Sequence, residues 1–519
     1  MWSVIAVLLV LGVCLFSGLN ALGLTGPDEP RYAAIARAMA QTRDWITPRL
    51  WGTPWFEKPV LYYWAAGGAM RLFGISEFSA RLPSALGGLL AVAAAGWIAL
   101  RSCGVRAAWY TLLMLPATIA MIAFARAASP DMLFAAFLTA ALAAAVELLQ
   151  KPRPGNLARV LFGVFLGAAV LAKGPAAIIL AGGAVLLWSV LAARPSASLR
   201  FLHPVVVGAA CATALPWYIL CALRNPDFLR IFIWEHNFER YLTPLFEHRQ
   251  PFWFFGYILL LAVIPWTGTL ISLFGRLGDR QMWRDSPGLL LACWSGFIVL
   301  FFSFSQSKLP SYILPAIPPL FVLLGRQIER FGKQAGRAAI WTVATTGVIA
   351  LALAPPLAWL LLHAKRFAEF ASVPALGTAL VSTTAAGIWI LRCSGRRRVE
   401  SAVLTASLLI TLLVEIAVAG VLPRSDRFLS ARTLANRLAA QSPASSMIAE
   451  YDLPRVWNYG LHYYLGNRLE TWQAGTALPA WIVTTTRGAA EIERRGSVQI
   501  QAVQRIPEGH ITLLRISKK

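Results

Sequence analysis

The sequence predicts a polytopic α-helical membrane protein with a small α/β domain at its C-terminal end, and three observations carry that expectation. Its 519 residues are 57% hydrophobic, only 14% are charged, and the mean hydropathy is +0.61, far from the composition of a soluble domain. Apolar stretches of about 20 residues, the length a helix needs to cross about 30 Å of hydrocarbon, recur from the N-terminus to residue 422. Beyond Pro423 hydropathy falls, and short β-type runs alternate with helical ones. Lipid offers backbone N–H and C=O groups no partner, so each apolar stretch must satisfy them internally as a helix.

The first stretch, residues 2–22, lacks the basic flank and small-residue cleavage site of a removable signal and is expected to remain as an anchor. Further spans are expected near 83–100, 107–124, 132–149, 157–172, 175–192, 204–222, 252–274, 288–304, 311–328, 338–362, 374–392 and 400–422, giving about thirteen. Between the first two, residues 30–41 and 61–73 place apolar side chains at helical spacing with Arg31, Arg37 and Arg71 interspersed, the pattern of short helices lying in the interface. A second long connection contains Trp234-Glu235-His236-Asn237-Phe238-Glu239-Arg240-Tyr241, too polar to span and too aromatic for a plain linker. Gly163 and Gly167, one helical turn apart, are expected to mark a close helix contact. In the last segment residues 481–486 and 510–515 read as strands and 430–440 as helix. The expected division is a membrane domain over 1–422, with long outer loops at 23–82 and 223–251, followed by the α/β domain over 423–519.

The net charge of +23 does not signal nucleic acid, because the Lys and Arg residues are scattered between apolar stretches with no basic helix or RNA-binding motif around them. Their distribution follows membrane topology. Alternate connections hold Arg101 and Arg106, Lys151, Arg153 and Arg159, Arg194 and Arg200, Arg276, Arg280 and Arg284, Arg330, Lys333 and Arg337, and Arg392 with Arg396 to Arg398. The positive-inside rule makes these cytoplasmic, with the N-terminus inside and the C-terminal domain outside. The first outer loop is also rich in Arg, but loops of about 60 residues translocate largely regardless of charge. Four of the six cysteines fall in spans and two in cytoplasmic loops, leaving no pair for an outer disulfide.

Two ionic clusters share the first outer loop: Gly26-Pro27-Asp28-Glu29-Pro30-Arg31-Tyr32 and Phe56-Glu57-Lys58-Pro59. Asp28 suits an N-cap for a helix starting near Pro30, yet capping leaves Glu29 and the second cluster unexplained. Asp131 follows Ser129-Pro130 at the start of a span, where a cap is again the plain reading. Glu57 and His236 are carboxylate and imidazole, usual ligands of a divalent cation, although two ligands do not make a metal site. Tyr62, Tyr63 and Trp64 fit an interface anchor better than a stacking platform. Lys173 sits at a helix break near the outer end of a span, either as a snorkelling anchor or at the edge of a site.

The order of these motifs, with Ser76-Glu-Phe-Ser-Ala-Arg-Leu-Pro83, Ala128-Ser-Pro-Asp131, Leu171-Ala-Lys-Gly-Pro175 and Lys308-Leu-Pro-Ser-Tyr-Ile-Leu-Pro315, resembles the aminoarabinose transferase family. These are relatives of the protein O-mannosyltransferases with the GT-C membrane glycosyltransferase fold. Pro30 and Val60 depart from the family pattern and leave the ionic groups intact. The resemblance implies an inverting transferase at the outer face of a bacterial inner membrane. It would move a sugar, aminoarabinose among the candidates, from a polyprenyl-phosphate donor to lipid A phosphate, a protein hydroxyl or another envelope acceptor. A leaving polyprenyl phosphate gains negative charge, so the site must aim cations at it. Lys58, Arg240, Lys308, Arg31 and Tyr312 are expected to contact donor phosphate or lipid, and Asp28, Glu29 and Asp131 to serve the reacting groups. Burial beside Glu29 is expected to tune Asp28 if the acceptor is a hydroxyl. A transporter is the rival from another class, but it would gather charge near the midplane rather than in outer loops.

Overall fold

The computed structural model describes the whole chain except residues 1, 151–152, 240–249, 277, 279–282, 284–286, 334–336, 444–445, 474–478, 495–497, 507–510 and 519. Helix α1 (Trp2–Leu11) continues into a wider π-type turn (Gly12–Phe16) and stops there, short of the expected residue 22. The reason lies at Gly18, which adopts φ +61° against Val418, where a Cβ would collide. Only glycine takes that conformation and that approach without penalty. Helices occupy both stretches where they were expected, α2 (Asp28–Thr42) and α3 (Leu61–Phe73), joined across a short ribbon of β1 (Arg49–Leu50) and β2 (Thr53–Pro54).

The membrane region follows as α4 (Glu77–Cys103), α5 (Val105–Met114), α6 (Ile119–Ala125), α7 (Asp131–Gln150), α8 (Asn156–Lys173), α9 (Ala176–Leu191), a short α10 (Pro195–Ser198) and α11 (Pro204–Arg224). A π-type helix covers Arg230–Glu239. Then come α12 (Phe254–Ala262), α13 (Thr267–Phe274), α14 (Gly288–Ser303), a 3-10 turn (Pro310–Ala316), α15 (Ile317–Lys333), α16 (Arg337–Ala352), α17 (Ala354–Leu362), α18 (Ala364–Phe367), α19 (Val373–Gly395) and α20 (Val399–Gly420). Among the described residues eight helices are long and apolar enough to cross a membrane, or nine with the pair α5 and α6, bent by 62°. The other expected spans are shorter apolar helices or broken pairs, and proline explains the breaks: Pro116 lies between α5 and α6, and Pro265 between α12 and α13. Gly163 and Gly167 let α8 press against α11, since a Cβ at Gly167 would lie 2.7 Å from the Ala210 carbonyl. The expected small-residue helix contact is present.

The C-terminal segment contains α21 (Leu422–Leu429), α22 (Arg432–Gln441), β3 (Ile448–Tyr451), α23 (Arg455–Leu465), β4 (Leu469–Thr471), β5 (Trp481–Thr485), α24 (Thr486–Arg494), β6 (Val498–Ile506) and β7 (Ile511–Lys518). Its five-stranded sheet has the order β4-β3-β5-β7-β6, parallel on the β4-β3-β5 side and antiparallel on the other. Leu434, Leu438, Leu461, Val483 and Leu513 form its apolar core.

This segment is fastened to the first long loop. The Gly23 N–H donates to Asp426 at 2.7 Å, the Leu24 N–H to the Tyr464 hydroxyl at 2.9 Å, and that hydroxyl to Glu77 at 2.8 Å. Arg37 reaches the Tyr463 carbonyl at 2.8 Å.

One buried ion pair sets the position of the loop itself. Glu29 is 6% exposed and Arg81 4%. Arg81 donates to both Glu29 carboxylate oxygens, at 3.0 and 2.7 Å, and to the carbonyls of Leu19, Leu22 and Gly23. Glu29 also accepts from the Ala128 N–H at 2.6 Å and from the Thr25 N–H and hydroxyl at 2.7 and 2.9 Å. Burial alone would raise the Glu29 pKa, but the Arg81 charge and these hydrogen bonds outweigh it and hold the carboxyl below its ordinary value.

A carboxyl with a native pKa below its unfolded value of about 4.3 adds stability above that pH, and the contribution fades as pH falls through the lowered native value. Detergent-solubilised protein should therefore lose thermal stability on acidification below about pH 4.3, and Glu29→Gln should flatten that dependence. Arg81→Ala should cost about 3–5 kcal/mol in unfolding free energy, because it strands a buried charge, whereas equal stability of the variant in a melting assay would contradict the pairing.

Candidate active site

Asp28 and Glu29 are neighbours in sequence, but adjacent helical residues point about 100° apart, so α2 sends them in different directions. Glu29 turns inward to Arg81, and its carboxylate is saturated by donors. This corrects the expectation of a catalytic Glu29: with no acceptor position left for a substrate, its role is to position the loop. Asp28 turns outward and keeps 58% of its side chain exposed, with Arg31 donating to it at 2.6 Å. The expected burial of Asp28 beside Glu29 does not occur. Nor does Asp28 cap the helix, which starts one residue after Pro27 with no side-chain cap.

From Asp28 a chain of alternating charges runs inward. Arg31 bridges Asp28 and Glu57, the latter at 3.0 Å, and Lys58 lies 3.6 Å from the other Glu57 oxygen. Arg31, Glu57 and Lys58 are each at least 86% shielded at the side chain. Lys58 also lies within electrostatic reach of Asp131, whose carboxylate pairs with Lys173. Lys173 in turn sits 5.0 Å from the Tyr312 ring and 5.6 Å from the Phe134 ring. Asp28, Arg31, Glu57, Lys58, Asp131, Lys173 and Tyr312 thus come together from α2, the loop before α3, the ends of α7 and α8, and the turn before α15. Lys173 is held by Asp131, with its side chain 14% exposed.

Aromatic rings frame this chain. The Arg31 guanidinium lies 5.2, 5.8 and 5.9 Å from the rings of Tyr32, Tyr459 and Trp55. Tyr62 and Tyr63 are each 1% exposed, Tyr62 donates to the Ala80 carbonyl, and Trp64 donates to the Trp45 carbonyl. These contacts hold α3 against α2 and α4. Among the described residues three polar atoms here are buried with no hydrogen-bond partner: Arg31 Nε, Trp55 Nε1 and the Tyr63 hydroxyl. Each leaves hydrogen-bonding capacity unused by the described protein groups.

Helix α23 brings Tyr459 and His462 over the loop. Trp51 stacks on His462 at 4.1 Å and on Tyr459 at 5.3 Å. Burial pulls His462 down to about 4, so it is neutral at working pH and contributes a surface, not a charge. No local signal marks Tyr459, because its partner Arg31 is brought to it only by folding.

The remaining expected residues stand apart. Lys308, 6% exposed, donates to the carbonyls of Gln250 and Ser305 at 3.0 and 2.6 Å, and burial lowers its ammonium below the usual lysine range. Among the described residues it makes no ion pair with the cluster. Arg240 and the His236 side chain lie outside the described residues. Glu57, the other expected metal ligand, already faces two cations, and no group of three or more His, Cys, Asp or Glu suited to a metal occurs among the described residues. The described residues around Glu57 do not by themselves make a divalent-cation site.

The arrangement, an exposed carboxylate backed by shielded cations beside aromatic surfaces, suits an anionic, ring-bearing ligand at a membrane edge. A family model described as dolichyl-phosphate-mannose-protein mannosyltransferase matches residues 3–232. The chain is 31% identical over 403 residues to an undecaprenyl phosphate-α-4-amino-4-deoxy-L-arabinose arabinosyl transferase of Edwardsiella ictaluri, covering 75% of this chain and 71% of that protein. A protein of the same name from Aeromonas salmonicida is 29% identical over 510 residues, 92% of this chain and 89% of that one. The crystal structure of ArnT from Cupriavidus metallidurans bound to undecaprenyl phosphate superposes with a TM-score of 0.81 at 24% identity, over 99% of this chain and 97% of that chain, which establishes a shared fold. On the strength of this alignment, motif order and fold, the chain belongs to the family of undecaprenyl phosphate-aminoarabinose arabinosyl transferases, and is a multi-pass membrane glycosyltransferase.

Proposed function

We propose that the protein transfers 4-amino-4-deoxy-L-arabinose from undecaprenyl phosphate to lipid A phosphate, with inversion, at the outer face of the inner membrane. The observation that carries this reading is the ionic chain from exposed Asp28 through Arg31 and Glu57 to Lys58, with Asp131 and Lys173 behind it. Supporting it are the printed names of the relatives and the undecaprenyl phosphate held by a protein of the same fold. The full topology belongs to the same proposal: about thirteen crossings including the short and broken helices, a cytoplasmic N-terminus, and residues 423–519 as a periplasmic domain.

In this reading an acceptor phosphate oxygen attacks the anomeric carbon of the sugar, the bond from that carbon to the undecaprenyl phosphate oxygen breaks, and its electron pair leaves with the phosphate. Lys58 is the donor-phosphate cation, joined by Arg240 and with Tyr312 at the lipid side. Preorganised cations in a water-poor site lower the cost of the charge that builds on the leaving group. A phosphate acceptor, with a second pKa near 6, is already ionised and needs no base. Asp28 then orients the acceptor or pairs with the sugar's ammonium group; only a hydroxyl acceptor would require it as a base. Asp131 works through Lys173, holding the cation at the pocket edge. Arg31 is the hinge of the chain, and Tyr459 presses it into place from α23.

A transfer assay with purified protein, undecaprenyl phosphate-linked aminoarabinose and lipid A, followed by mass spectrometry, tests the reading. Asp28→Asn should fold and insert yet lose at least about a hundredfold in transfer, and full transfer would remove Asp28 from the reaction. Lys58→Ala should raise KM for the donor more than it lowers kcat for a bound substrate; an unchanged donor KM would overturn the phosphate contact. Tyr459→Ala should lower kcat/KM about two- to fivefold, the equivalent of one cation–π contact of about 0.5–1 kcal/mol, while Tyr459→Phe keeps the wild-type value. A mass shift on an envelope protein instead of lipid A would replace the acceptor in this proposal with a protein hydroxyl.

A further inference from the structure

A second amphipathic cavity, of about 330 Å³, lies on the far side of α2's first turn. Its outer end is lined by Thr25, Glu29 and Arg81, and the rest by Leu19, Leu22, Ile122, Arg126, Val414 and Ala417. Asp28, facing Arg31, takes no part in it. The cavity exists because the first span ends early: the chain leaves helical geometry after Phe16 and runs irregularly to Thr25, leaving a gap between α6 and α20. The same two helices present Ile119 and Leu412 outward, 50% and 42% exposed, as a lipid-facing surface does.

Glu29 neutralises Arg81 within the cavity wall, but Arg126 has no such partner. Its only hydrogen bond among the described residues is a long one, 3.5 Å to the Val13 carbonyl, and Glu415 on α20 faces it without forming an ion pair. An Arg carries five N–H donors, so most of this guanidinium is left to a ligand. A slot that is apolar along its length and holds one underused guanidinium is complementary to a lipid with an anionic head.

We propose that this cavity binds the phosphate of an anionic glycerophospholipid of the surrounding bilayer, with Arg126 as the headgroup ligand and Leu22, Ile122, Val414 and Ala417 against the first part of its chains. The lipid fills the gap left by the short first span. It thereby supports the Glu29–Arg81 pair from behind, so the bilayer itself steadies the loop that carries the donor site. The proposal rests on the membrane placement of this face and not on the identity of sugar or acceptor.

The test is native mass spectrometry of delipidated full-length protein titrated with phosphatidylglycerol or phosphatidylcholine, alongside thermal unfolding with each lipid. Wild type should retain one phosphatidylglycerol at least about tenfold more tightly than phosphatidylcholine, and its melting temperature should rise with phosphatidylglycerol, as mass action requires of a ligand bound only to the native state. Arg126→Gln should abolish both the preference and the shift. Ala123→Trp, at an exposed position beside the slot, should block binding while leaving the lipid-free melting temperature near wild type. Lys58→Ala should keep the phosphatidylglycerol site, which separates it from the donor site. Retention of the preference by Arg126→Gln overturns the proposal. So does equal stabilisation by water-soluble glycerol phosphate, which would make this a free-phosphate site with no use for the bilayer. Loss of the transferase reading through an inactive donor assay would leave these binding results standing.

Discussion

The rest of the structure depends on the buried pair of Glu29 and Arg81. Its attraction must offset the cost of withdrawing two charges from water, and it does so because the remaining acceptors and donors are used on backbone groups and the Thr25 hydroxyl. Those groups belong to the irregular stretch after the first span, to Thr25 just before α2 and to the turn before α7. One side-chain contact therefore ties three segments into a fixed corner. Asp28, one residue away, inherits its direction from that corner.

This arrangement separates holding from reacting within a single acidic pair. Glu29 is held below its ordinary pKa by full hydrogen bonding, and remains charged without being reachable. Asp28 has one close cation and open space. A glycosyl transfer from a lipid phosphate needs a cation for the leaving group and a reachable carboxylate for the incoming partner or the sugar's amine, kept at fixed separation. In the proposed function, alternating charges from Asp28 to Lys58 would supply both, and the net charge of the cluster stays small. That lets the cluster be shielded without a large desolvation penalty.

The C-terminal segment is part of the same construction. Tyr464, Asp426 and Arg37 bind it to the loop through hydrogen bonds, while Tyr459 and His462 lay aromatic surface over Arg31 and Trp51. Neutral at working pH, His462 packs as an aromatic plate, which avoids adding a second cation beside Arg31. The C-terminal segment thus packs directly against the loop that carries Arg31 and Trp51.

Composition and hydrophobic periodicity determined by themselves that this chain lives in a membrane, that two interface helices follow the first span, and that strands begin after residue 423. Helix formation in lipid answers to local apolar length, so α7, α8, α11, α19 and α20 were legible. Motif order also placed Asp28, Arg31, Glu57, Lys58, Asp131 and Tyr312 in one neighbourhood. Tertiary structure alone decided where spans break, because Pro116, Pro265 and the Gly18 contact act through packing as well as local propensity. It alone decided that Glu29 serves Arg81 and not the reaction, since two adjacent carboxylates look alike until helix geometry sends them apart. The contacts of Tyr459, His462 and Arg126 were equally invisible: each is made with a partner or a void distant in sequence, and no periodicity encodes such an encounter.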